Sequence, residues 1–298
     1  MSAVEQSDGA PARSLDVCLT FDFDAMSLWG AMGQTSPTPV SRGEFGGRVA
    51  VPRILDLLAE AGAPATFFVP GHTIDTFPEL CARILAEGHE IGHHGYFHES
   101  PVGLSPLQEK RALERGLETM ERRLDGYRPA GYRSPAWDLS PQTTELLLEY
   151  GFAYESSMMA QDFEPYWCRT GDVFHTDKAF EFGPEIELVE VPVSWALDDF
   201  VDLEYVYAPP LILPAAKDPG AVERRWLADM DFAAATVPGG VYTLTMHPQV
   251  IGRGARIDIV RSVIAHARGL GAELVTAGAA ARSWVERAPA ARDSQATV

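Results

Sequence analysis

The sequence predicts an α/β protein, an irregular (β/α) barrel of about seven parallel strands with helices outside the sheet. Three observations favour this fold class. Short β-type apolar runs alternate with amphipathic helical stretches, polar or aromatic side chains follow five of the runs, and no linker rich in Pro, Gly or Ser splits the 298 residues. Alternation is typical of a parallel sheet. Polar groups at several strand ends favour a barrel, because a doubly wound sheet gathers its site near one switch point.

The elements follow one another as β-type runs and helical stretches. The apolar runs predict strands at 15–21, 65–69, 89–92, 129–133, 187–193, 241–245 and 272–275. The 3.6-residue periodicity predicts helices at 49–61, 77–87, 106–124, 141–150, 221–236, 256–269 and 277–286. Ser105-Pro106 and Ser140-Pro141 are typical helix starts, and Gly88 and Gly151 are typical helix ends. We expect one domain over 14–288, with flexible tails at 1–13 and 289–298.

Charge and cysteine usage exclude several classes of protein. The net charge of −18 indicates a surface that repels nucleic acid and anionic lipid, so we expect neither a nucleic acid nor a membrane as a partner. No apolar run has the length of a signal peptide or a bilayer span. The three cysteines lie far apart, which argues against a disulfide framework and a thiolate zinc site. A cytoplasmic location is therefore expected.

Two histidines after the third strand predict a metal site. His94 and His98 are four residues apart, and one helical turn would place both imidazoles on the same side. Asp24, after the first strand, would add an oxygen ligand. Three protein ligands leave coordination positions open, which is typical of a catalytic site. A surface turn would explain an isolated pair of histidines, but Asp22 and His247 are predicted on the same face. We expect the neighbouring His93 to point away.

An acid and a base are predicted beside this metal. Asp22 lies two residues before Asp24, so both point to one side of an extended chain, and Asp22 can act as general base. Arg133 ends the fourth strand and could pair with Asp22, keeping it ionised. His247 follows a buried strand and would be the general acid that protonates the leaving nitrogen. The alternative for His247 is a hydrogen-bonded core residue.

Four further residues are expected near the acid. Asp198 or Asp199 could orient His247, and the sequence does not choose between them. Trp137 and Trp195 are expected to wall the substrate pocket, although core packing would use them equally well.

These motifs, in this order, resemble the polysaccharide deacetylase superfamily, the NodB-homology group also called carbohydrate esterase family 4. The matching segments are Asp22-Phe23-Asp24, His94-Gly95-Tyr96-Phe97-His98, Arg133-Ser134-Pro135-Ala136-Trp137, 194–199 and Leu244-Thr245-Met246-His247, within 15–280. The resemblance implies an irregular (β/α) barrel and one divalent metal, commonly Zn²⁺, with Co²⁺, Ni²⁺ or Fe²⁺ as alternatives. It also implies Asp22 as base, Asp24, His94 and His98 as ligands, Arg133 as the partner of the base and His247 as acid.

Two departures from the common motifs indicate which branch of the superfamily this sequence resembles. Phe23 separates two aspartates that are usually adjacent, and Gly95 stands where Ser or Thr is usual. Both features, with 41–45 and His247-Pro248-Gln249, resemble an intracellular branch of allantoinase-like and cyclic-imide-hydrolysing enzymes and peptidoglycan deacetylase-like proteins. Members of that branch tend to form homotetramers, so the resemblance implies a homo-oligomer such as a tetramer.

Three functions remain open at this point. The first is N-deacetylation of an amino sugar or its polymer, and the second is hydrolysis of a small cyclic amide or imide. The third, a non-catalytic sugar-binding barrel, is disfavoured because base, ligands and acid are all present. The long aromatic stretches at 157–184 and 200–219 could cover the site or lie at a subunit contact, and we expect a covered pocket.

Overall fold

The sheet is long, parallel and curled. A computed structural model describes residues 13–214 and 217–291; apart from 13 and 289–291, the predicted tails lie outside the described residues. The strands are β1 (Asp16–Asp22), β2 (Thr66–Val69), β3 (Glu90–His93), β4 (Gly131–Tyr132), β5 (Tyr154–Glu155), β6 (Tyr166–Arg169), β7 (Glu185–Glu190), β8 (Tyr205–Ala208), β9 (Leu211–Pro214), β10 (Val241–Met246) and β11 (Glu273–Val275).

The order of the strands explains how the sheet curls. The order is β10-β1-β2-β3-β4-β5-β7-β6, with β11 beside the first half of β1, and only β6 runs antiparallel to its neighbour. The chain that leaves β7 reaches β10 through a parallel bridge between Asp198 and Thr245. The result is a curled half-barrel, which confirms the predicted fold class. All seven predicted strands are present, and β5 adds a further parallel one.

The helices lie outside this sheet and follow the strands in sequence. They are α1 (Met26–Ala31), α2 (Pro37–Phe45), α3 (Val51–Ala61), α4 (Gly71–Thr76), α5 (Pro78–Ala86), α6 (Pro106–Arg123), α7 (Thr143–Glu149), α8 (Phe200–Leu203), α9 (Pro219–Thr236), α10 (Pro248–Ile251), α11 (Ile257–Gly269) and α12 (Ala277–Val285). A π-helical turn, Gly46–Ala50, joins α2 to α3. None of the described helices combines the length and the apolar character that a bilayer crossing requires.

One predicted helix start is right and another is wrong. Ser105 and Gln108 form a capping box at the start of α6. The start predicted at Pro141 is wrong, because α7 begins at Thr143. The hydroxyls of Ser140 and Thr143 both donate to the buried carboxylate of Glu109 in α6, at 2.6 Å each. Ser140 Oγ also accepts the backbone N–H of Gln142 at 3.3 Å, so the serine still caps this turn although the regular helix starts two residues later.

The largest apolar cluster lies between the sheet and its outer helices. β1 is buried along nearly its whole length, which is typical of a parallel strand covered on both faces. Phe21 stacks on Phe67 of β2 with ring centroids 5.0 Å apart. On the helix side, α3 buries Val51, Ile54 and Leu58. The sheet is therefore a rigid platform, and the ends of its strands hold neighbouring side chains in place.

Candidate active site

Asp24, His94 and His98 form a buried cluster at the carboxyl ends of β1 and β3. Asp24 Oδ1 lies 3.5 Å from His94 Nε2 and 3.8 Å from His98 Nε2. One ligand atom from each residue lies within 4.8 Å of the others, a spacing that suits a shared metal ion. The three residues predicted as ligands are therefore brought together.

The turn that joins the two histidines differs from the prediction. A helical turn was expected, but residues 94–99 are not helical, and Gly95 and His98 have positive φ angles of 71° and 60°. Two left-handed residues bend the chain within five positions, and the two rings lie edge to face with centroids 5.1 Å apart and planes at 79°. Gly95 supplies the permissive backbone that this turn needs. At His98 the same conformation is strained, as is common at functional sites.

Three other non-glycine residues with positive φ lie beside the site. Ala25 follows Asp24, and Ala136 and Trp137 follow the strand that ends near Arg133, with φ angles of 50°, 59° and 52°. Such conformations persist only where the surrounding packing imposes them. They keep the loops after β1 and β4 in shapes that ordinary strand–helix connections do not adopt.

Hydrogen bonds set the protonation of the histidine cluster. His94 Nδ1 donates to the carbonyl oxygen of Arg133 at 2.7 Å, so its Nε2 is the unprotonated nitrogen that faces Asp24. Burial lowers the pKa of His94 to about 4 and that of His98 to about 3. Both imidazoles are therefore neutral at neutral pH, the form that binds metal.

The surroundings of the Asp24 carboxylate show whether these residues fit a cation. Both of its carboxylate oxygens are buried and accept no hydrogen bond from any described residue. Burial and the neighbouring charges of Asp22, Asp198 and Asp199 raise its pKa well above the usual value, although His247 opposes this. A buried carboxylate with two free oxygens is costly unless a cation compensates it. With two neutral imidazoles beside it, this donor set fits a divalent metal.

Asp22 is held on one side of the cluster by Arg133. Arg133 Nη1 donates to Asp22 Oδ1 and to Thr20 Oγ1, at 2.8 Å each, and its remaining donors reach the carbonyl and hydroxyl of Ser156 at 2.9 Å. Neither member of the ion pair is more than 2% exposed. Burial alone would raise the pKa of Asp22, but the guanidinium charge lowers it below the usual value. Asp22 is therefore a fixed, ionised carboxylate.

His247 lies on the other side and is held by Asp199. Its Nδ1 donates to Asp199 Oδ1 at 2.8 Å, and its Nε2 points toward Asp24 Oδ2 at 3.9 Å. Asp198 lies farther from the ring, with Oδ2 4.0 Å from Nδ1, and it accepts backbone N–H groups of α8 instead. Burial alone would lower the pKa of His247, but the two aspartates raise it to about 10. The choice that the sequence left open thus falls on Asp199 as the residue that orients the imidazole.

His93 points away from the cluster, as expected. Its Nδ1 accepts the backbone N–H of Gly95 at 3.2 Å, and its Nε2 donates to the carbonyl oxygen of Leu113 at 3.1 Å. It packs beside Tyr132 and has a structural position in the core.

A cavity of about 770 Å³ opens above these groups. Asp22, His94, His98, Asp198 and His247 lie on its wall. Trp137 and Trp195 also line it and stack on one another with ring centroids 4.4 Å apart.

The two aromatic stretches have different roles at this cavity. Segment 200–219 contributes Phe200, Leu211 and Leu213 to the wall through α8 and the β8–β9 hairpin. No described residue of 157–184 lines it, and Trp167 in β6 packs on Trp284 of α12 instead. Of the two aromatic stretches that could cover the site, 200–219 therefore contributes to the cavity wall and 157–184 does not.

Sequence reasoning missed two contributors to the site and expected the third, in 200–219, as one of two alternatives for that stretch. Thr20 and Ser156 bind Arg133, and the hairpin forms part of the cavity wall. Thr20 follows the same alternation as Asp22 along β1, which would have placed both on one face. Ser156 follows a two-residue strand that is too short to give a periodic signal.

The geometry agrees with three comparisons. The family model described as polysaccharide deacetylase matches residues 15–154. The chain is 35% identical to the peptidoglycan deacetylase of Helicobacter pylori over 93% of its own length and 99% of that protein. It is 29% identical to a peptidoglycan deacetylase-like protein of Gibberella zeae, over 92% of this chain and 87% of the other.

Solved structures give the same result. A polysaccharide deacetylase structure from Mycobacterium smegmatis superposes with a TM-score of 0.79 at 32% identity, covering 98% of this chain and 97% of that one. PuuE allantoinase shares the fold, with a TM-score of 0.74 at 19% identity over 94% and 93% of the two chains. A full-length relative at 35% identity and these buried motifs lead to one conclusion: the chain belongs to the polysaccharide deacetylase family, whose members are hydrolases of non-peptide amide carbon–nitrogen bonds.

Proposed function

We propose that this chain hydrolyses a non-peptide amide carbon–nitrogen bond with Asp22 as general base and His247 as general acid. One observation carries the proposal. An aspartate held by Arg133 and a histidine held by Asp199 flank a buried carboxylate–imidazole cluster at the base of a cavity. A general base and a general acid on either side of an electrophilic centre are what amide hydrolysis needs.

The cluster supports a resident metal, for which we propose one Zn²⁺ held by Asp24, His94 and His98. The two unpartnered oxygens of Asp24 and the two neutral imidazoles favour it. Such an ion supplies Lewis acidity, which lowers the pKa of water and polarises an amide carbonyl. Asp24, His94 and His98 would hold the ion with three protein ligands, the number that is typical of a catalytic site.

Asp22 takes the proton of the attacking water. Its pKa lies below the usual range because Arg133 opposes the effect of burial, so the carboxylate is ionised and ready to accept. The four hydrogen bonds of Arg133 also fix its direction. The guanidinium therefore maintains both the charge and the position of the base.

His247 gives a proton to the leaving nitrogen. Because Nδ1 donates to Asp199, the Nε2–H of the charged ring faces the cluster and the cavity. The acidic neighbours keep the imidazole protonated, as an acid catalyst must be at the start of the step. Asp199 stabilises that cation and prevents the ring from turning.

Two substrates fit this chemistry. N-deacetylation of an amino sugar is favoured by the identity to the Helicobacter pylori relative. Hydrolysis of a small cyclic amide or imide is favoured by the cavity, whose wall includes Trp195 and the β8–β9 hairpin. The single domain over 14–288, the cytoplasmic location and the homo-oligomer, expected as a tetramer, stay predictions.

Two substrate panels test the proposal and separate its alternatives. The zinc-loaded chain is incubated with N-acetylated chito-oligosaccharides and with cyclic ureides and imides, and the Asp22→Asn variant is the control. Acetate release from the sugars would establish deacetylation, and ring opening without acetate would establish imide hydrolysis. No turnover of either panel by metal-loaded wild-type protein would contradict the proposal.

A further inference from the structure

The cavity above the cluster has two chemically different parts. Its base carries the carboxylates and imidazoles of the site, whereas most of the remaining wall is apolar. That apolar wall includes Leu28, Met32, Phe97, Trp195, Leu211 and Leu213. A volume of about 770 Å³ exceeds what an acetamide group alone would occupy. The group attached to the reacting amide therefore has to lie against apolar side chains.

One oxygen of each carboxylate on the wall is bound by the protein. Asp22 is paired with Arg133, and Asp198 accepts the backbone N–H groups of Phe200 and Val201. Glu99 similarly accepts two backbone N–H groups, from Tyr96 and Phe97, at 3.0 and 2.7 Å. Arg133 offsets the charge of Asp22, and backbone donors hold Asp198 and Glu99 in place.

Cations and hydroxyls are also scarce on this wall. Among the described residues that line the cavity there is no lysine or arginine, and the imidazolium of His247 is already paired with Asp199, so an anionic substituent would find no unpaired cationic side chain there. Ser100 is the lone hydroxyl side chain among those described residues. A pyranose ring carries several hydroxyls that need partners when they leave water, and unmet partners are costly.

We propose that the preferred substrate is a neutral amide or imide whose substituent is an apolar alkyl or aryl group. The proposal rests on the proposed function, because it assigns the reacting amide to the cluster and the substituent to the apolar wall. Transfer of an aryl group from water to such a wall favours binding. The stacked pair of Trp137 and Trp195 adds a flat aromatic surface on which a ring can lie.

The β8–β9 hairpin offers a matched pair of variants. In the hairpin register, Leu213 pairs with Val206 on the inner face, and Ile212 pairs with Tyr207 on the outer face. Leu213 lines the cavity, whereas Ile212 is 53% exposed and does not. Leu213→Asn therefore places a polar group on the wall, and Ile212→Asn makes the same chemical change on the same strand outside it.

Binding is measured by calorimetry on the zinc-loaded Asp22→Asn variant, which separates binding from turnover. The first series is glutarimide bearing hydrogen, phenyl or carboxymethyl at ring carbon 3. The second compares acetanilide with N-acetylglucosamine. We expect the phenyl compound to bind about tenfold or more tightly than the unsubstituted ring. The carboxymethyl compound and the acetamido sugar should bind more weakly than their phenyl counterparts.

The variants and the wild-type enzyme complete the test. Added to Asp22→Asn, Leu213→Asn should reduce the phenyl preference about tenfold, and Ile212→Asn should leave it unchanged. Equal affinities within a series, tighter binding of the charged or sugar compound, or no binding in either series would overturn the inference. Turnover by wild-type protein is scored separately. Hydrolysis without a phenyl preference would support the proposed function but overturn this inference. A phenyl preference in binding without any hydrolysis would support the apolar binding site but contradict the proposed function.

Discussion

One carboxylate oxygen of Asp199 accepts two hydrogen bonds from His247, one from the backbone nitrogen at 2.9 Å and one from ring Nδ1 at 2.8 Å. The pair joins the loop after β7 to the end of β10, next to the bridge between Asp198 and Thr245. The imidazole is thus fixed by a residue that the barrel closure brings near.

This relationship predicts different effects for two neighbouring aspartates. His247→Gln should lower kcat by about 10²–10⁴-fold, the usual contribution of a general acid. Asp199→Asn should cause a substantial part of that loss, because it removes the carboxylate that holds Nδ1 and one of the charges that stabilise the imidazolium. Asp198→Asn should cost less, since its oxygen lies 4.0 Å from the ring and an amide oxygen can still accept the α8 N–H groups. Steady-state kinetics of the three variants checks this. A larger loss for Asp198→Asn than for Asp199→Asn would contradict the assignment.

Replacing the base and replacing a metal ligand should have different effects on metal binding. Asp22→Asn should abolish measurable turnover while the protein still retains zinc, because Asp22 is paired with Arg133 and is not in the ligand cluster. His94→Ala should lose both zinc and turnover, because it removes one of three ligands. Metal content after dialysis and turnover are measured on both. Wild-type rate in Asp22→Asn would show that another residue is the base.

A buried carboxylate pair predicts a pH dependence of stability. Glu155 and Glu190 are fully buried, hydrogen-bond one another and form no ion pair with a described residue. Burial, and then the charge of Glu155, raises the pKa of Glu190 well above 4.5. The folded protein therefore binds more protons than the unfolded chain, and the free energy of unfolding should fall as the pH rises above 4.5 toward the raised pKa.

Glu190→Gln should remove this contribution. Its unfolding free energy, from urea titrations at about pH 5 and about pH 8, should change less with pH than that of wild type. Glu187→Gln, at an exposed position of the same strand, is the control and should follow wild type. An unchanged pH dependence in Glu190→Gln would show that the pair does not share a proton.

A helical glycine beneath the histidine turn predicts a packing effect. A Cβ on Gly116 of α6 would overlap His93 Nε2 and lie 3.0 Å from the carbonyl oxygen of Gly95. Gly116→Ala should therefore destabilise the protein by about 1–3 kcal/mol. Gly269→Ala, at the end of α11 with no atom within 4 Å of the new Cβ, should be neutral or slightly stabilising. Thermal unfolding compares the two, and similar melting temperatures would contradict the expected overlap.

The fold and most of the candidate site could be predicted because the end of each strand is visible in the sequence as a polar residue after an apolar run. Asp22, His94 and His247 each follow a buried apolar strand, and parallel strands bring such ends to one edge. The shape of the turn from His94 to His98 could not be predicted, because a four-residue spacing fits both a helix and a turn of left-handed residues. In the folded chain a Cβ on Gly95 would lie 3.1 Å from Glu99 Oε2 and 3.4 Å from Pro135, contacts with neighbours that the spacing does not reveal.

The remaining differences between the predicted and the observed structure come from tertiary contacts, which produce no periodic pattern in the sequence. Ser140 and Thr143 are tied to Glu109 of α6, a contact between distant segments at the start of α7. The β8–β9 hairpin pairs only with itself, so its four-residue strands show no continuous buried run. Leu211 and Leu213 of this hairpin nevertheless form part of the apolar wall of the cavity. The sequence thus predicted the groups near the reacting bond better than those that meet the rest of the substrate.

Metal dependence is the central claim, and a titration tests it most directly. Metal-stripped protein is titrated with Zn²⁺ while bound metal and turnover of the best substrate of the two panels are measured together. We predict that turnover is absent without metal, rises in proportion to bound zinc and reaches its plateau at one ion per chain, and that His94→Ala gives no such rise. Full turnover by the stripped protein, or a zinc-dependent rise that persists in His94→Ala, would contradict the assignment of Asp24, His94 and His98 as the metal site.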